Sequence, residues 1–149
     1  MKNIYPYLDP KLVTFSYQSD RDSVLKELVM NLADHHQFIE PDPFYHAILD
    51  REAVVSTGIG MGVAIPHAKM AHYDDFFIAI GINKNGVNWN SLDRQPVRLI
   101  FMIGGPDDKQ TEYLQILSAL TMAIKDDQRR KQMLRLTSPE EIVSLFSDF

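Results

Sequence analysis

The chain contains no cysteine. That absence removes disulfides, thiolate metal sites and cysteine nucleophiles together, and it is compatible with a reducing compartment. Long apolar runs are missing too, since no stretch approaches the ~20 continuous apolar residues that a membrane span requires. The opening MKNIYPYLDPKL has no apolar centre, so no signal peptide is expected there. A basic surplus is also lacking: Lys and Arg number 15 against 20 Asp and Glu, for a formal net charge of -5. Without a basic block there is little to neutralise a nucleic-acid backbone, and no nucleic-acid partner is expected. The acidic balance suits a basic protein partner and equally suits plain solubility. There is no internal repeat and no low-complexity linker. The 149 residues are expected to form one domain, 1–149, long enough to bury a core without staples.

Periodicity supplies the elements that are present. LVTFSYQ alternates and is rich in β-branched and aromatic residues, so it reads as a strand. Ser19 followed by Asp22 resembles a capping box. Behind it Val24, Leu25, Leu28, Val29 and Leu32 recur at helical spacing, which predicts an amphipathic helix over 20–34. A second helix is expected over 43–52, with Phe44, Ile48 and Leu49 on one side. Gly58, Gly60 and Gly62 break any helix. Val63, Ala64 and Ile65 form a short apolar strand limited by Pro66. FFIAIGI and VRLIFMIG are apolar runs of strand length, with Asn85-Gly86 as a turn signal after the first. Such runs point to a sheet covered on both faces. Three helices follow: one carrying Tyr113, Leu114, Leu117, Leu120, Thr121 and Ile124, one near 128–136, and one opened by Ser138-Pro139-Glu140-Glu141. The order β-α-α-β-β-β-α-α-α predicts an α/β fold, a three-layer α/β/α sandwich around a mixed central sheet.

The segment Arg51 to Lys69, REAVVSTGIGMGVAIPHAK, concentrates the chemistry. A glycine-rich loop can offer backbone N–H groups to an anion, and Ser56 and Thr57 add hydroxyls. Arg51 can grip a phosphoryl group through bidentate, charge-assisted hydrogen bonds. His67 ends the segment, and a neutral imidazole is a nucleophile near pH 7. An arginine, a donor-rich loop and a histidine can together serve phosphoryl transfer, which needs positioning and charge stabilisation above all. A structural histidine beside a tight turn is the plainer reading. The glycines lack the spacing of a dinucleotide fingerprint and a strand follows them rather than a helix. No Gly-Lys-Ser/Thr closes a Walker loop.

STGIGMGVAIPHAK closely resembles the signature of the mannitol/fructose/nitrogen class of enzyme IIA domains of the bacterial sugar phosphotransferase system. Arg51-Glu52 ahead of it is similar to nitrogen-type members. VNWNSLDRQPVRLIFMI, TEYLQILSALTMAIKDD and SPEEIVSLFSD extend the likeness over nearly the whole chain. The resemblance implies a cytoplasmic histidine phosphocarrier. His67 would accept the phosphoryl group from HPr or nitrogen-type HPr, and Arg51, Thr57 and Tyr113 would stabilise it. The acceptor would be an enzyme IIB or a regulated protein, with contact to the membrane only through a permease. It implies no metal and no diffusible cofactor. Tyr113 marks a departure: the family commonly has a second histidine where this chain reads Glu112-Tyr113-Leu114. A phenol can donate a hydrogen bond there but cannot bring a positive charge, and it can equally serve as packing.

Of the other histidines, His35 and His36 end the first helix, where they suit its dipole, and His46 has no evident partner. His72 stands five residues after His67 and does not form a metal pair with it. Three readings follow. A phosphocarrier serves either transport or nitrogen-type regulation; the Arg-Glu/Ser-Thr-Gly pattern, the missing second histidine and the expectation of a stand-alone chain favour regulation. A module of the same fold could instead bind a transporter or other partner without moving a phosphoryl group. A metal-dependent hydrolase would need ligand clusters that the sequence lacks.

Overall fold

A computed structural model describes residues 3–149. Among them the main elements are β1 (Val13–Phe15), α1 (Arg21–His35), α2 (Pro41–Val54), β2 (Gly58–Gly60), β3 (Val63–Ala64), β4 (His67–Met70), β5 (Phe77–Val87), β6 (Val97–Pro106), α3 (Gln110–Ile124), α4 (Asp127–Arg135) and α5 (Pro139–Ser144). The strands make one mixed sheet of order β1-β5-β6-β3-β2, with β4 also pairing to β6. β5 and β6 run antiparallel, while β1 lies parallel to β5 and β3 and β4 lie parallel to β6.

The apolar runs are covered on both faces. Ile78, Ile80, Ile82, Leu99, Phe101 and Ile103 pack with Ile116, Leu120, Ile142 and Phe146 of α3 and the C-terminal segment. Their strand neighbours Phe77, Ala79, Ile100 and Met102 pack with Leu25, Leu28, Phe44 and Ile48 of α1 and α2. Alternation along a strand sends successive side chains to opposite faces, and apolar residues at both parities build two cores and three layers.

Several local expectations shift. The first helix is capped one residue later than the sequence suggests: Asp20 accepts from the Ser23 N–H at 3.0 Å and also binds the Ser23 hydroxyl. The first strand keeps only Val13–Phe15. Asn85-Gly86 does not end its strand, because β5 runs on to Val87 and the irregularity falls between Ile82 and Val87 of the pairing with β6. The Ser138 cap does form, accepting from the Glu141 N–H.

The largest addition lies around the glycine segment, where β2 and β4 join the strand expected at Val63–Ile65, which forms as β3 (Val63–Ala64). β2 and β3 form an antiparallel hairpin, with Gly60 opposite Val63. Its two turn residues, Met61 (φ 61°) and Gly62 (φ 74°), are both left-handed, as a two-residue primed turn demands. Gly58 is needed for a different reason. A Cβ there would stand 2.1 Å from the Ser91 Oγ and 2.9 Å from its Cβ, so the hairpin and the 88–96 loop behind it would have to separate. Gly58→Ala is therefore expected to cost roughly 1–3 kcal/mol, read as a lowered thermal midpoint in circular dichroism. An unchanged midpoint would mean that the loop yields freely.

β3 and β4 behave as one strand with a gap. Val63 faces Leu99 and His67 faces Ile103, so the register along β6 does not slip across the break. Pro66 has no N–H to give the ladder, but its carbonyl accepts from the Ile103 N–H at 2.9 Å. His67 is the first residue after this gap. It stands at the same parity as Val63 and Ile65, on the face covered by α3.

Candidate active site

Three segments converge on His67: the end of α2, the hairpin that follows it, and one face of α3. A depression of about 460 Å³ is lined by Arg51, Ser56, Thr57, Ile59, Met61, Ile65, His67, Tyr113, Leu117 and Thr121. Tyr113, Leu117 and Thr121 stand four residues apart and so share one helix face. A second depression of about 380 Å³ carries Lys69 and Asp107 and again includes Arg51 and His67.

His67 is half-buried, and its Nδ1 lies 3.1 Å from the Ile65 carbonyl. A carbonyl can only accept, so in the neutral ring Nδ1 holds the proton and Nε2 keeps a lone pair. Burial pulls the imidazole below its ordinary pKa. The cations Arg51 and Lys69 push the same way, against the Ile65 hydrogen bond and the Glu52 carboxylate. The neutral ring, with its Nε2 lone pair free, is thus the resting form at neutral pH.

That shift has a consequence for stability. A histidine held below its unfolded value, about 6.5, binds fewer protons in the folded chain than in the unfolded one. As pH falls below about 6.5, the unfolded state gains the proton first and stability drops, until the lowered folded value is passed. Its contribution is present in full above about 6.5. The urea midpoint of His67→Gln is expected to fall less than that of the natural chain between pH of about 7.5 and 5.5. Equal falls in the two proteins would contradict a desolvated His67.

Arg51 sits in the last turn of α2. One of its N–H groups donates to the Val55 carbonyl at 2.9 Å, which ties the guanidinium to the helix end and occupies one of its five donors. Its charge acts on both His67 and Tyr113. The Tyr113 ring lies 5.7 Å from the His67 ring, and burial raises its phenol pKa, so the hydroxyl keeps its proton as a potential donor.

Thr57 lines the first depression, but its donors point elsewhere. Its N–H donates to Glu52 Oε2 at 2.7 Å, and its hydroxyl donates to Glu52 Oε1. Trp89 Nε1 donates to the same Oε1 at 3.1 Å and lies 3.2 Å from Thr57 Oγ1. Glu52 is 3 % exposed and Trp89 fully buried, so a hydrogen-bonded carboxylate fastens α2 to the hairpin and to the 88–96 loop. Ser56 is similarly engaged, donating to the Trp89 carbonyl at 2.6 Å. The glycine segment is a paired hairpin rather than an open ring of N–H groups, and the Met61 N–H is bound to Asp93 at 3.2 Å.

The sequence-predicted residues Arg51, Thr57, His67 and Tyr113 therefore do meet at one depression, with Thr57 oriented towards Glu52. Glu52, Trp89 and Lys69 were given no role from sequence. The one available signal was the sole tryptophan standing in an otherwise polar loop. His35, His36, His46 and His72 line neither depression. Among the described residues no group of acidic and histidine side chains could hold a metal ion, and no helix is long and apolar enough to cross a membrane.

Comparison with known proteins adds four findings. A family model described as phosphoenolpyruvate-dependent sugar phosphotransferase system, EIIA 2, matches residues 6–149. The chain is 37 % identical over 128 residues to the PTS system fructose-specific EIIABC component of Bacillus subtilis (strain 168), covering 86 % of this chain but only 20 % of that protein. It is 31 % identical over 125 residues to the nitrogen regulatory protein of Escherichia coli (strain K12), covering 82 % of this chain and 76 % of that protein. The crystal structure of nitrogen regulatory protein IIA-Ntr from Neisseria meningitidis shares the fold, with a TM-score of 0.89, 24 % identity, and coverage of 97 % of this chain and 99 % of the other.

Proposed function

The chain belongs to the EIIA 2 family of the phosphoenolpyruvate-dependent sugar phosphotransferase system, and on that premise we propose that His67 is the residue that carries its phosphoryl group. The observation that carries the reading is the fixed tautomer. With Nδ1–H held by the Ile65 carbonyl, the Nε2 lone pair is left for a phosphorus arriving over the depression that Arg51 and Tyr113 line. The donor is the phosphohistidine of HPr or of nitrogen-type HPr. As the Nε2–P bond forms in line, the donor's N–P bond breaks and its electron pair returns to the donor nitrogen.

Arg51 supplies charge-assisted donors to the equatorial oxygens and Tyr113 a neutral one. Thr57 enters as a positioning residue, since Glu52 engages both its N–H and its hydroxyl. Exposed Val54, Val55, Ile59, Met61 and Leu114 lie in or beside the segments that form the site and give partners an apolar surface to meet. The acceptor is an enzyme IIB domain or a regulated protein. Residues 1–149 act as one domain, in the cytoplasm, and reach a membrane only through a permease. The relatives include both a fructose-specific component and a nitrogen regulatory protein, and the Arg51-Glu52 and Ser56-Thr57-Gly58 pattern favours the regulatory branch.

Intact mass after incubation with phosphoenolpyruvate, enzyme I and HPr tests the reading. One acid-labile phosphoryl group is expected. No mass gain with either ordinary or nitrogen-type HPr would replace the carrier with a module that acts by binding alone.

A further inference from the structure

Lys69 has no part in the reaction as described so far, yet it is placed to join it. β4 carries His67 and Lys69 two residues apart, so both side chains leave the same face of the sheet. Both line the second depression with Arg51 and Asp107. The Lys69 Nζ donates to the Gln110 Oε1 at 2.6 Å and stands 4.4 Å from the centre of the Tyr113 ring. That ring in turn lies 5.7 Å from the His67 ring. The partners are an amide and a phenol ring, both neutral, and among the described residues no carboxylate forms an ion pair with Lys69. An ammonium held by neutral groups keeps its charge available to an arriving anion, and the flexible four-carbon stem lets it move to one.

We propose that Lys69 is a second phosphoryl-binding cation of this site, moving from the Gln110 amide to an equatorial oxygen of the group on His67. The inference rests on His67 being the phosphoryl acceptor. During the step the Nε2–P bond forms and the donor's N–P bond breaks, while Lys69 keeps its protons and contributes charge alone. Gln110 and Tyr113 hold the ammonium near the site before the group arrives, so less order has to be imposed at the moment of transfer.

The test uses phosphoramidate, a small donor that releases ammonia and needs no protein docking, beside phospho-HPr. Site-resolved mass spectrometry follows the rate at His67 for the natural chain, Lys69→Met, Lys69→Gln and Lys69→Arg. The two neutral variants are expected to slow acceptance by about ten- to a hundredfold with both donors, the range for losing a charge-assisted hydrogen bond. Lys69→Arg should recover most of the rate. Phosphorus NMR of phosphorylated His67 gives a second readout: without the ammonium the dianion loses support, and the titration of the phosphoryl group should move up in pH. Slowing with phospho-HPr alone would make Lys69 a docking residue and overturn the proposal. So would natural rates and an unmoved phosphorus titration in whichever neutral variant folds. A natural chain that takes no phosphoryl group from either donor would instead remove the reading of His67 itself, and this inference with it.

Discussion

His67→Ala is expected to leave a folded chain that accepts no phosphoryl group from phospho-HPr, with the mass gain falling from one group to none. No other histidine offers a fallback. His36 stacks on Phe77 at 6.0 Å and His72 lies edge-on to Tyr73 at 4.8 Å; His35 binds the Asn31 carbonyl in its own helix, and His46 sits beside Tyr45. None of them lines a depression with Arg51. The substitution opens space onto an existing depression, so the thermal midpoint should change by only a few degrees, corresponding to about 1 kcal/mol. The natural chain should also show a distinctive pH profile. Because burial holds the imidazole below its ordinary pKa, single-turnover acceptance should stay level as pH falls through about 6.5 and decline only at the lower value. A decline already centred at about 6.5 or above would mean that the ring is as well solvated as a free histidine, against the half-buried geometry. A phosphoryl group remaining on the alanine variant would move the acceptor to another residue.

How far the sequence discloses this arrangement depends on the range of the interaction. The paired apolar runs of β5 and β6 required cover on both faces, and α1–α2 and α3–α5 supply it. Long helices were legible through their repeat. The strand β3 was legible as the apolar triplet before Pro66, but its hairpin with β2 was not, because a three-residue strand of Gly-Ile-Gly carries no period, and Met61 at a left-handed turn position breaks the usual residue preference. A role for His67 was expected from a resemblance, whereas its tautomer could not be, since the partner is a backbone carbonyl two residues earlier. Thr57 was read as a donor to the phosphoryl group because hydroxyls near a glycine loop often serve that way. It bonds instead to Glu52 in a cluster that Trp89, 32 residues further on, completes, and no local pattern announces such a contact. Lys69 shows the same limit: its spacing from His67 puts it on the right face, but only the fold brings Gln110 and Tyr113 to it.

Arg51→Ala should then produce the largest loss that still leaves the nucleophile in place. The guanidinium lines both depressions around His67, and its Val55 bond at 2.9 Å fixes it at the helix end before any phosphoryl group arrives. A preorganised donor directed at developing charge gives more to the transition state than one that must first be ordered, and removing such a donor slows reactions by about 10²–10³-fold. That loss in single-turnover acceptance is expected here. Arg51→Lys should restore part of it, because a point charge remains but the planar fork is gone. The same variants should change His67 in a predictable direction. Arg51 contributes to holding the imidazole pKa down, so alanine should let its NMR titration midpoint rise, whereas lysine should largely keep it. Stability should fall only by the Val55 bond, about 1 kcal/mol, which separates a lost charge from a lost helix end. A slow variant with a risen His67 midpoint and a near-natural melt places the guanidinium at the phosphoryl oxygens. A variant with the natural rate would reduce Arg51 to a helix cap, and the charge on the arriving group would then have to be met by Lys69 and the neutral donors alone.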